Sequence, residues 1–167
     1  SRCGRYGQGA PMPEDWSSTA QTWSMRRTVL SAETFAEILT EGQPEPNAHA
    51  SPPGTLRAAR RGDAGAVAFV RSMDRRVGPA RLSLGTPDGI LMTPEVHLPE
   101  GRARILPLDW AVAGGKVLTT TMEPVLHAFV AGRHLLILLN EEGGRIDLSG
   151  FRAQHRRGPI TVERRGD

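Results

Sequence analysis

The chain is nearly without cysteine and lysine, and it has no long apolar run. Cys3 is the one cysteine in 167 residues, so no intrachain disulfide and no cysteine-based metal site can form. The longest apolar stretch, residues 125–139, is interrupted by His127, Gly132, Arg133 and His134. It falls short of the ~20 residues that a membrane-spanning helix requires, so no membrane is expected among the partners. A charged-then-apolar leader is also missing, which favours the cytoplasm over secretion. The chain opens at Ser1, and its first methionines are Met12 and Met25, so it reads as a processed product or a fragment.

With Lys116 as the lone lysine, the formal charge of +3 rests on arginine. Residues 1–54 carry 4 basic against 6 acidic groups, and residues 55–167 carry 17 against 12. The arginines are scattered and often stand beside acids, as solvated surface charge usually does. A nucleic-acid partner is therefore not expected. A basic face for an anionic polymer or a protein remains the alternative reading.

What the chain does have is glycine and proline, 19 and 13 residues, set between short apolar runs. Residues 1–30 show no sustained period and read as an extended lead-in, with Trp16 and Trp23 able to pin it to a neighbouring surface. Ser31 reads as a helix N-cap, with Leu30 and Phe35 as a hydrophobic staple and Phe35, Ile38 and Leu39 on one face. The helix stops before Gly42, and a Pro-rich linker runs to residue 55. Residues 56–167 read as a single β domain, long enough for a proper core. Strands are expected at 66–71, 80–84, 90–93, 95–98, 103–106, 108–112, 116–121, 125–130, 134–139, 145–148 and 160–163. Pro87-Asp88-Gly89 supplies turn chemistry between two of them. So many short strands at close spacing predict a mainly β fold, an antiparallel β-sandwich of jelly-roll or Greek-key type with one short N-terminal helix.

Four blocks between residues 65 and 151 occur in a familiar order. They are AVAFVR with ARLSLGTPDGI, then EVHLPEGRARILPLDWAVAGG, then KVLTTTMEP, then HLLILLNEEGGRIDLSG. Together they resemble the non-catalytic β-sandwich domain that follows the catalytic barrel in β-galactosidases of glycoside hydrolase family 35. Where that family carries an aromatic in the third block, this chain has Leu118 or Thr119, and the insertions of longer family members are missing. The resemblance implies a non-catalytic accessory domain, a partner in the barrel of the same parent protein, and carbohydrate as the substrate class of the whole. It also implies an exposed apolar face, formed by the helix at 31–41 and the lead-in tryptophans, where the barrel docks.

The residues themselves offer little chemistry. Retaining glycosidases need two carboxylates about 5–5.5 Å apart, which in this family come from a barrel of roughly 250 residues. Glu95 and Glu123 stand beside prolines at strand ends, where turn capping suits them better than acid–base work. His127 and His134 flank one hairpin and could be cross-strand neighbours, but they lack an evident third ligand. No metal or other cofactor is expected. Ser149 lacks the flanking glycines of a nucleophile elbow, and Gly114-Gly115-Lys116 lacks phosphate-loop spacing. Trp110 is the one candidate for carbohydrate or partner contact: it is either a core aromatic or a platform on which a sugar ring stacks.

Overall fold

The computed structural model describes residues 20–53, 55–71, 79–98, 103–112, 114–130, 134–139, 143–151 and 160–164. The fold is mainly β. It begins with two helices, α1 (Ala20–Thr34) and α2 (Ala36–Glu41). Thirteen strands follow among the described residues: β1 (Gln43–Pro44), β2 (Ala48–Ser51), β3 (Leu56–Gly62), β4 (Gly65–Arg71), β5 (Pro79–Thr86), β6 (Gly89–Met92), β7 (Val96–His97), β8 (Ala103–Val112), β9 (Gly115–Thr120), β10 (Pro124–Val130), β11 (His134–Leu139), β12 (Gly144–Ser149) and β13 (Ile160–Arg164).

Three sheets form. The largest runs β1-β3-β4-β8-β9-β12-β13, antiparallel except for β13, which lies parallel to β12. A smaller sheet runs β2-β5-β6, with β7 also on β5, and β10 and β11 pair as a hairpin. The chain leaves the large sheet after β1 and after β4, returning at β3 and β8, so the first two sheets stack as a β-sandwich. β6 and β7 both pair with β5, as one strand interrupted at Thr93. There the Thr93 amide donates to the Leu82 carbonyl at 2.9 Å, and the Leu82 amide donates to Thr93 Oγ1 at 2.9 Å. The hydroxyl fills the place of a carbonyl that the interruption turns away.

The large sheet carries a core on each face. Ala66, Ala68, Val70, Leu106 and Leu108 meet Leu82, Leu84, Val96 and Leu98 of the small sheet. On the other face Val67, Trp110, Val117, Ile146 and Leu148 pack with Phe35, Ile38 and Met122. Strict alternation along β4 divides its residues between the two cores, as the period of a strand requires. In β8 the alternation slips: Leu106 and Leu108 serve one core, Trp110 and Val112 the other. Asp109 between them has φ of 51°, a left-handed conformation that turns the following side chains to the opposite face. Gly65, φ 117°, lies beneath this bend, where a Cβ would strike the Asp109 carbonyl.

Several expectations are corrected. Ala20–Thr34 is helical, so part of the lead-in is helix, and the described residues hold two helices where one was expected. Ser31 is no N-cap: it lies inside α1 with its hydroxyl donating to the Pro124 carbonyl at 3.1 Å. Leu30 is likewise helical, so the Leu30–Phe35 staple does not form. The Pro-rich linker holds two edge strands, β1 paired to β3 and β2 paired to β5. The two strands expected at 103–106 and 108–112 are one, β8.

Candidate functional site

Trp110 is 3% exposed. Its ring stands edge-on to Phe35, with centroids 5.0 Å apart and planes at 69°, the arrangement that opposes a ring edge to a π face. Of the two roles open to it in the sequence, the structure places it in the core, where it has no solvent-facing surface to offer a sugar. Phe35 reaches it from the junction of α1 and α2, and Val67 and Val117 from β4 and β9 belong to the same core cluster.

Several described charged groups bond to partners on their own chain. Asp147 on β12 has a side chain 1% exposed. It accepts from Arg145 Nε at 2.8 Å and from Thr119 Oγ1 at 3.0 Å, the pairing that a buried carboxylate needs. Glu45, after β1, accepts from the Arg61 guanidinium and, at 2.8 Å, from the Asn47 amide. Burial alone would raise the Glu45 carboxyl, but the bond from Arg61, the Asn47 amide and the Arg61 charge outweigh it and hold it below the usual value. Arg61 also donates to the Gly85 carbonyl at 3.0 Å, tying the large sheet to the small one. Neighbouring Arg60 donates to the Gly42 carbonyl, at the C-terminal end of α2, where a cation also suits the helix dipole. Lys116 Nζ meets Asp109 at 2.9 Å beside the β8–β9 turn.

The remaining candidates are not assembled into a site. Glu123 accepts from the Ile105 amide at 3.2 Å, and Glu95 forms an exposed pair with Arg81 at 3.0 Å. In the hairpin, His134 pairs with Val130 and His127 with Ile137, so the two histidines are not opposite each other. Among the described residues no group of three or more His, Cys, Asp or Glu could hold a metal ion, and no helix is long and apolar enough to cross a membrane. Ser149 closes β12 opposite Lys116. Trp16, Cys3 and His155 lie outside the described residues.

The lead-in Trp23 is exposed, as expected, but the apolar surface beside it and on β6 was not foreseen. Trp23, Met25 and Val29 on α1 and Ile90 and Met92 on β6 are exposed. Arg26 sits 5.7 Å over the Trp23 ring, a cation–π contact. The helix at 31–41, expected to supply this surface, instead buries Phe35 and Ile38. Period alone could not reveal it, because β6 reads Gly-Ile-Leu-Met with no polar residue to mark the outer face.

Compared with known protein families and with curated proteins, the sequence matches none of either.

Proposed function

We propose that the chain is a non-catalytic accessory domain of a glycoside hydrolase resembling the family 35 β-galactosidases, and that it supports a carbohydrate-active barrel. The observation that carries this reading is the position of the four resemblance blocks. Each contributes one strand to the row β4-β8-β9-β12, which are consecutive neighbours in the large sheet. The first block also supplies β5 to the small sheet and the last supplies β11 to the hairpin, so the blocks share a row in the large sheet and extend from it.

Two further observations support it. Glu45, Asp109 and Asp147 are each held by a cation of their own chain and Glu123 by a backbone amide, the behaviour of structural carboxylates. The large apolar side chains that α1 leaves in water suit a domain that rests against another. The alternative of a basic face is weakened by Arg60, Arg61, Arg104 and Arg145, whose guanidinium groups bond to carbonyls or carboxylates of the fold.

An aryl β-galactoside assay on the purified chain tests the non-catalytic half of the proposal. No product above the buffer blank is expected. Turnover that disappears when a described carboxylate is replaced by its amide would overturn it.

A further inference from the structure

We propose that β6 is a self-pairing edge, through which two copies of the chain join their small sheets antiparallel about a two-fold axis at Leu91. Among the described residues no strand lies on the outer side of β6. Its hydrogen-bond parity follows from its register against β5, Ser83 with Met92 and Leu84 with Leu91, and from the Thr93 amide bonding the Leu82 carbonyl. Leu91 thus directs its amide and carbonyl at β5, whereas Ile90 and Met92 direct theirs outward, because these directions alternate along an antiparallel pair.

That arrangement is self-complementary. An antiparallel copy with its axis at Leu91 sets Ile90 opposite Met92 of the second copy, and Met92 opposite its Ile90. Both are hydrogen-bonded positions, so four open amides meet four open carbonyls. The side chains agree with the backbone: Ile90 is 76% exposed and Met92 51%, both on the solvent face, and they would stack across the join as apolar cross-strand pairs. Charge agrees too. The register brings exposed Asp88 of one copy opposite Pro94 of the other, beside Arg81, whose guanidinium already holds Glu95. Arg81 would then lie between two carboxylates.

Natural sheets block such edges with lysine, proline or a bulge, and the four residues of β6 contain none of these. A contact between two four-residue strands buries far less than the roughly 1,000 Å² of a stable interface. The partner is therefore a second copy held weakly, in rapid exchange with monomer.

Sedimentation equilibrium of the full 167-residue chain across a wide concentration range tests this. The mean mass should rise from monomer toward dimer. Met92→Pro removes one outward amide and no bond to β5, and Ile90→Lys places a charge in the join. Each should weaken association about tenfold or more, with the unfolding midpoint unchanged. Should Met92→Pro fail to fold, Ile90→Lys carries the test, since its side chain is already in water. A wild-type chain that stays monomeric at the highest concentration would overturn the proposal. So would variants that associate like wild type, or association abolished by Val29→Asp on α1 and not by Ile90→Lys.

Discussion

Trp110 decides between a surface and an interior role more sharply than any other residue. A buried Trp contributes through transfer and packing together, so Trp110→Ala should lower stability by about 3–5 kcal/mol in urea unfolding. A sugar platform would behave differently, leaving the midpoint in place while removing a binding site. Glu45 carries the clearest pH dependence. Its carboxyl is held below the ordinary 4.5 in the folded chain, so the folded state holds on to the charged form more strongly than the unfolded state does. The stability it contributes is fully present above that value and is lost as pH falls through the lower, folded pKa. Thermal unfolding below pH 4.5 should therefore show a shallower acid loss for Glu45→Gln than for wild type. Equal slopes would mean that the Arg61 pair does not couple protonation to folding.

At the scale of the element, the bend in β8 is the device that lets one strand serve two cores. Asp109→Gly should stay within about 1 kcal/mol of wild type, because glycine accepts positive φ and offsets the lost Lys116 pair. Asp109→Val should cost about 1–2 kcal/mol or more, because a β-branched side chain resists that conformation; a chemical denaturation series checks both. Strands such as β4, β5, β9 and β12 were legible because alternation or β-branched runs end at glycine, proline or polar pairs. β8 was not read as one strand, because Pro107 looks like a breaker. The Ile105 amide bonds Glu123, so before the bend at Asp109 the odd-numbered amides of β8 face the β9 side. Pairing with β9 starts only at Leu108, so the amide that Pro107 lacks would have met no ladder partner. Pro44 is tolerated in β1 for the related reason that β1 is an edge. α1 is hard to read because two of its buried residues, Ser31 and Thr34, are polar, and polar side chains write no apolar stripe in the sequence.

Among the described residues, a central sheet is covered on one face by a second sheet and on the other by α2 with Phe35 and Met122, while α1 packs on β10. Two of the arginines that give the sequence its basic charge join these layers: Arg61 spans the two sheets, and Arg60 fastens α2 to β3. The apolar surface was less legible than the fold: the lead-in Trp23 was expected to be exposed, but exposure of Met25, Val29, Ile90 and Met92 depends on which elements cover which, a tertiary fact with no local signature. If this domain serves a carbohydrate-active barrel of the same parent protein, as proposed, the frame that encodes it also encodes that barrel. Reading the genomic frame upstream of the Ser1 codon tests it most directly. An open frame encoding repeated strand–helix units with two glutamates at strand ends is expected, and a stop codon or a start signal immediately before Ser1 would overturn the proposal.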